Sequence, residues 1–263
     1  MRQYNLSLGF TVGCFSLFML VAYFGLVSYF EFPDILRQDT QYMLGVFQQN
    51  QNVIIPFYYL FALSQVVFVV IILQLKHYFR GTPSMLLSVA SGIGVLAGLC
   101  QAIGFLRWPF LVPYLASVIS DPATSVASKE AATVVFQSFH QFAGVAVGEN
   151  LFFVFEAIWG ICFGAYLLKY QLISRQLASI PVIAGIAILI YSLEQFGGSM
   201  AILAPLNVIA HAALVFWFIA LSKIFLPLHS IINSKIKVGR VTTILLWVIY
   251  LLIVSPGLIP AQA

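Results

Sequence analysis

The chain has 263 residues, of which 62% are hydrophobic and 8% are charged. Soluble domains contain about one quarter charged residues, so this composition excludes a soluble globular protein and a disordered one. The formal net charge is +4, but the basic residues flank apolar segments, a pattern that predicts contact with membrane lipids and no binding of nucleic acid.

Apolar segments in chain order predict an all-α fold, a polytopic transmembrane helix bundle with a six-span core and a seventh, C-terminal span. A bilayer core of about 30 Å requires about 20 helical residues. The first segment is too long for a cleaved signal peptide and is interpreted as an anchor. Pro256 interrupts the last segment, so six spans with a C-terminal interfacial piece are an alternative. The predicted spans are 6–30, 54–75, 85–106, 142–168, 177–196, 206–225 and 241–259.

Two connecting segments predict structure at the outer membrane surface. Residues 31–53 mix glutamines with apolar side chains, which favours a short interfacial helix. Residues 107–128 begin with an apolar stretch that prolines break before it can span, followed by a turn-rich loop. Ser128 is the predicted cap of a helix that continues into the fourth span. The chain thus divides into a six-span core over 1–226, and a basic cytoplasmic loop with a C-terminal span over 227–263.

The charge distribution predicts a bacterial inner-membrane protein with a cytoplasmic N-terminus. In this orientation nine of the twelve basic residues are cytoplasmic, and the outer side keeps Arg37, Arg107 and Lys129. The acidic residues show the opposite asymmetry. Glu149 and Glu156 lie inside the fourth span, and the others lie on the outer side or at its edge.

Ionisable residues inside a span are costly, and they mark functional sites or helix contacts. Glu149 and Glu156 point the same way from an α-helix, at about 30 Å and 20 Å above the inner end of the span. His140 faces away in a straight helix, although Gly144 and Gly148 allow a bend that brings it back. The candidates for binding a ligand or a proton in an outward-facing polar pocket are Gln101, Arg107, His140, Glu149, Asn150, Glu156, Glu194 and His211.

Structural roles are the alternative for several of these side chains. Glu149 and Asn150 would then join helices by pairing with Arg107 or Gln101. Gln101 shares one face of the third span with small residues that allow close helix contact. In the outer loop, Arg37 is expected to pair with Asp34 in the same turn.

Three stretches, FEFPDILR (30–37), LRWPFLVPYLA (106–116) and FHQFAGVAVGE (139–149), together resemble a family of bacterial integral membrane proteins known only as a domain of unknown function. The likeness covers roughly residues 1–225. It implies an inner-membrane setting and a six-span core, and it implies no activity, cofactor or catalytic residue.

The favoured hypothesis is a multi-pass inner-membrane protein that binds a small or lipid-like molecule in the outward-facing pocket, for transport or sensing. Glu149 and Glu156 are its predicted protonatable centre. One alternative is an intramembrane enzyme that uses these carboxylates with His140 as acid and base on a lipid or isoprenoid. Others are a haem-binding electron carrier using His140 and His211, and a structural accessory subunit. The sequence contains no hydrolase, zinc-protease or nucleotide-binding motif, and it leaves the cofactor, the ligand and the oligomeric state open.

Overall fold

Polar side chains mark the points at which the helices begin. In the computed structural model, which describes residues 5–226, five helices follow a residue whose side chain accepts a hydrogen bond from a backbone N–H of the first turn. Ser125 is the cap of the helix before the fourth span and accepts the N–H of Ser128, so the cap predicted at Ser128 is wrong. The five capping residues are Asn5, Asp39, Ser84, Ser125 and Ser174.

Six helical segments are long and apolar enough to cross a membrane, so the all-α bundle and its six-span core are confirmed. The predicted seventh span, 241–259, lies outside the described residues. In chain order the elements are α1 (Leu6–Phe30), a 3₁₀ turn (Asp34–Arg37), α2 (Thr40–Tyr78), α3 (Met85–Phe110), α4 (Val112–Ser120), α5 (Val126–Phe139), a π-helix (His140–Leu151), α6 (Phe152–Lys169), α7 (Arg175–Tyr191), two 3₁₀ helices (Ser192–Phe196 and Gly198–Leu203) and α8 (Ala204–Phe225).

The six spans close into a ring in which α1, α2, α3, α6, α7 and α8 each pack against the next, and α8 returns to α1. Aromatic side chains fill its centre. The ring centroid of Trp159 lies 5.1 Å from that of Phe68 and 5.8 Å from that of Phe218. Large apolar side chains such as Phe24 and Phe216 are exposed on the outside, where membrane lipids solvate them.

Small residues let α3 approach its neighbours closely. A Cβ added at Gly94 would lie 2.7 Å from the side chain of Trp159 on α6, and one at Gly98 would lie 2.7 Å from the side chain of Val69 on α2. The predicted small-residue face of the third span therefore packs against two helices.

Several helical segments exceed the thickness of a bilayer. α2 contains 39 residues and measures about 58 Å at 1.5 Å per residue, against a hydrocarbon core of about 30 Å. The excess lies where α2 begins and where α4 and α5 pack together. We call this side of the bundle the Glu149 end.

The long helices replace the separate interfacial helix predicted within 31–53. After the 3₁₀ turn, α2 begins at Thr40 and passes through Pro56 into the second span. Its apolar side chains, including Phe47, are buried with Trp108 of α3. This packing stabilises the helix across Pro56, which has no N–H to donate. The short helix predicted within 31–53 is instead the beginning of α2, because the packing that extends it is tertiary and does not show in local composition.

Candidate functional site

The π-helix carries three predicted site residues, His140, Glu149 and Asn150. π-Helical turns occur frequently at functional sites and contain about 4.4 residues. His140 and Glu149 are therefore about two turns apart, on one face, and both contact the turn between α1 and α2. The prediction that they face apart assumed α-helical geometry. The wider π turn brings them together without a bend at Gly144 or Gly148.

Arg37 joins the π-helix to the end of α7. Its Nη2 lies 2.7 Å from Oε2 of Glu149, its Nη1 lies 3.4 Å from Oε1 of the same carboxylate, and Oε2 of Glu194 is 3.9 Å from Nη2. Burial lowers the pKa of Arg37, but the hydrogen bond and the charge of Glu149 outweigh it. The net shift raises this pKa above its usual value, so the guanidinium stays charged.

The predicted partners of Glu149 and Arg37 were therefore wrong. Glu149 bonds Arg37 rather than Arg107 or Gln101, and Arg37 bonds Glu149 rather than Asp34. The reason is topological. The 3₁₀ turn presents Arg37 to the π-helix, and the widened turns of that helix present Glu149 to Arg37.

A double-mutant cycle tests this pair. Because the Arg37 side chain is 44% exposed, we expect Arg37→Gln and Glu149→Gln to show a coupling free energy of about 0.2–1 kcal/mol, diminished at high salt. Thermal unfolding of the four proteins at low and high salt measures it. Additive effects of the two substitutions would contradict the pairing.

A cavity of about 500 Å³ lies beside Arg37 at the Glu149 end. His140 forms part of its wall and lies about 40 Å from Lys169 along the helical segment, a distance greater than the hydrocarbon core of about 30 Å. Its lining combines a cation, amide and hydroxyl groups, and apolar side chains. The lining residues are Leu36, Arg37, Gln38, Thr40, Met43, Phe136, Gln137, His140, Gln141, Val145 and Gln195.

Next to this wall, Arg107 is buried without a carboxylate within 4.0 Å among residues 5–226. One of its amino groups donates to the carbonyl oxygen of Gly104, and its Nε has no hydrogen-bond partner. The Tyr58 hydroxyl and the Trp108 indole N–H are also buried and unpaired. The sequence placed Arg107 at the outer end of its span but gave no indication of these two neighbours.

Glu156 and His211 form a second, separate pair between α6 and α8. Oε2 of Glu156 lies 3.0 Å from Nε2 of His211, and Nδ1 of His211 lies 2.9 Å from the carbonyl oxygen of Asn207. A carbonyl oxygen only accepts hydrogen bonds, so Nδ1 carries a proton. The hydrogen bond between Glu156 and Nε2 of His211 then joins either a carboxylate to an imidazolium, or a carboxylic acid, as donor, to a neutral imidazole.

The family model for a domain of unknown function, DUF4386, matches residues 11–221. The chain belongs to the DUF4386 family. The chain matches no curated protein and no solved structure.

In this DUF4386 chain the eight predicted candidates do not form one pocket. Glu149 and Glu194 contact Arg37, His140 lines the cavity near Arg107, and Glu156 contacts His211. The side-chain amide oxygen of Gln101 is buried without a hydrogen-bond partner. Asn150 is half-buried and joins none of these groups in the described part of the chain. His140 and His211 belong to different groups, each with Nε2 already bonded, so this geometry does not favour the haem hypothesis.

The glutamines that line the cavity were not among the predicted site residues, and neither were Thr40 and Arg37. The only signal was the polar composition of 38–41 and 137–141. That signal is common on exposed helix faces, and it becomes informative only when the fold brings the two stretches together.

Proposed function

We propose that the chain is a bacterial inner-membrane protein that binds a small or lipid-like amphiphile in the cavity at the Glu149 end, with the N-terminus in the cytoplasm. The cavity is the observation that carries the proposal. Its volume of about 500 Å³ lies in the range of small-molecule sites, roughly 300–1,000 Å³. The charge distribution favours an orientation in which this end faces outward.

The lining suits a molecule with a polar head and an apolar tail. Gln38, Gln137, Gln141 and Gln195 offer amide donors and acceptors, and His140 adds a ring nitrogen. The tail would contact the apolar side chains of the same wall, which are Leu36, Met43, Phe136 and Val145.

The carboxylates have a different role in this proposal. Glu149 connects the π-helix to Arg37, and Glu156 connects α6 to α8. An enzyme that uses both as acid and base needs them to face one substrate, and their different partners do not support that arrangement. Because Trp159 and other aromatic side chains fill the centre of the ring, the geometry supports sensing from the Glu149 end. Transport would require these side chains to rearrange.

Filling the cavity tests the proposal. Gln141 is exposed and lines the cavity, so Gln141→Trp should occupy it without disturbing the core. Phe142, which is 69% exposed and is not part of the lining, provides the matched control Phe142→Trp.

The measurement is native mass spectrometry of detergent-purified protein with monooleoylglycerol, oleic acid and dioleoyl phosphatidic acid. We expect the wild type and Phe142→Trp to retain an amphiphile, and Gln141→Trp to retain severalfold less. Equal retention by Gln141→Trp, or no retention by the wild type, would overturn the proposal.

A further inference from the structure

Arg107 is a buried cation whose charge no nearby carboxylate neutralises directly. Its side chain is about nine-tenths buried, and residues 5–226 place no carboxylate oxygen within 4.0 Å of it. Glu149 interacts with it electrostatically but directs both oxygens to Arg37. An unpaired buried charge is costly, so its presence calls for a compensating group.

The surroundings of Arg107 hold it in place. A Cβ added at Gly144 would lie 2.6 Å from the guanidinium carbon, so the guanidinium packs directly on the π-helix backbone. Gly144 is about one π turn from His140, which forms the cavity wall and interacts electrostatically with Arg107. The guanidinium therefore packs beside the cavity wall, although Arg107 and Gly144 are not themselves lining residues.

Unused hydrogen-bond donors surround this position. The Nε of Arg107 and the Nε1 of Trp108 are buried and unpaired, and both only donate. The Tyr58 hydroxyl is unpaired as well, and its ring stacks on Trp108 with the centroids 4.9 Å apart. The Nε2 of His140 faces the carbonyl oxygen of Leu36, so its free Nδ1 accepts when the ring is neutral, and the Tyr58 oxygen can also accept. The unpaired donors around Arg107 therefore outnumber the unpaired acceptors, and its guanidinium adds a positive charge.

We propose that Arg107 binds the oxyanion, a phosphate or a carboxylate, of the amphiphile that occupies the cavity. The inference rests on the proposed function and names the chemistry of the headgroup. A guanidinium suits this role because its planar N–H groups match two oxygens of a phosphate or carboxylate. Arg37 does not fill the role, since Glu149 and Glu194 already neutralise it.

Bound water is the competing occupant. A water molecule with two to four polar partners satisfies unpaired donors, but it leaves the charge of Arg107 uncompensated and gives no preference for anionic ligands. The two occupants therefore differ in the selectivity that they produce.

The test compares anionic and uncharged amphiphiles that carry the same type of acyl chain, oleoyl. The probes are oleic acid, dioleoyl phosphatidic acid and monooleoylglycerol, and the readout is the ratio of anionic to uncharged ligand retained in native mass spectrometry. We expect Arg107→Gln to lower this ratio about tenfold or more, because it removes charge-assisted hydrogen bonds. Arg107→Lys, which keeps the charge without the planar fork, should lower it less. Preferential retention of phosphatidic acid or of oleate identifies phosphate or carboxylate as the ligand group.

Gly144→Ala tests the same point without changing any charge. Its methyl group would displace the guanidinium, so the ratio should fall as it does in Arg107→Gln. Gly92, where a Cβ would meet nothing within 4 Å, provides the control Gly92→Ala. Without added ligand, Arg107→Gln should unfold at the same temperature as the wild type or higher, whereas a purely structural arginine would lower that temperature.

The outcomes separate the two proposals. If the wild type retains none of the three amphiphiles, the proposed function fails and this inference fails with it. If the wild type retains them and the ratio is unchanged in both Arg107→Gln and Gly144→Ala, only the oxyanion inference is overturned. If Arg107→Gln does not fold, Gly144→Ala decides the question.

Discussion

Gly148→Ala should lower the thermal unfolding temperature more than any other single methyl addition at the Glu149 end. The new Cβ would lie 2.7 Å from the Cα of Gly104 on α3 and 3.0 Å from the carbonyl oxygen of Ala143. Both are backbone atoms, so no rotamer change relieves either contact, and the clash with Gly104 forces α3 away from the π-helix. Overpacking of this kind costs about 1–3 kcal/mol.

Separation of these helices should also impair the site. The π-helix positions Glu149 for Arg37 and His140 for the cavity, so we expect Gly148→Ala to retain less amphiphile. The control is again Gly92→Ala, because both substitutions raise helix propensity equally. Scanning fluorimetry in detergent gives the unfolding temperatures. If the two variants unfold at the same temperature, the close contact between Gly104 and Gly148 does not exist.

The bundle was predictable because its signal is local. Each span is a run of apolar residues of the length that a bilayer demands, and hydropathy identifies it without knowledge of its neighbours. The contact face of α3 was predictable for the same reason, since Gly94 and Gly98 lie one helical turn apart in the sequence. The predicted bounds of the helices were less accurate. A polar stretch such as 48–52 looks like a span boundary, although α2 continues through it.

The π-helix left no signal in the composition. Its hydrogen bonds differ from those of an α-helix by one residue of spacing, and residues such as Gly144 and Gly148 are equally compatible with a kink. The spatial relation of His140 to Glu149 depends on this difference. Predicting it required the close packing of Gly148 against Gly104 on another span, which is a tertiary feature.

The partners of the charged residues were not predictable for a related reason. Several carboxylates and cations were expected at one end of the bundle, and charge alone allows many pairings among them. The packing of the π-helix beside the 3₁₀ turn that carries Arg37 decides which partner Glu149 has. The sequence therefore predicted that polar residues gather at one end of the bundle, and it assigned Glu149 the wrong partner.

The Glu156–His211 pair should tolerate an amide but not an apolar side chain. Because Nδ1 of His211 donates to the carbonyl oxygen of Asn207, the Nε2 of a neutral ring is an acceptor. In Glu156→Gln the amide N–H group can donate to it as a carboxylic acid does. We therefore expect an unfolding temperature close to that of the wild type.

Glu156→Leu leaves the His211 ring without its partner beside Phe152 and Phe153, which lie against that ring. His211→Leu leaves the carboxyl group of Glu156 unpaired in the same surroundings. Each should destabilise the protein by about 1–3 kcal/mol, the cost of a buried unsatisfied polar group. The double variant should be more stable than the sum of the single effects predicts, since no polar group is left unpaired. Thermal unfolding of all four variants tests whether the contact needs a charged carboxylate. If Glu156→Gln is as unstable as Glu156→Leu, the contact requires the carboxylate charge, whereas wild-type stability of Glu156→Gln shows that a neutral donor to the His211 ring is sufficient.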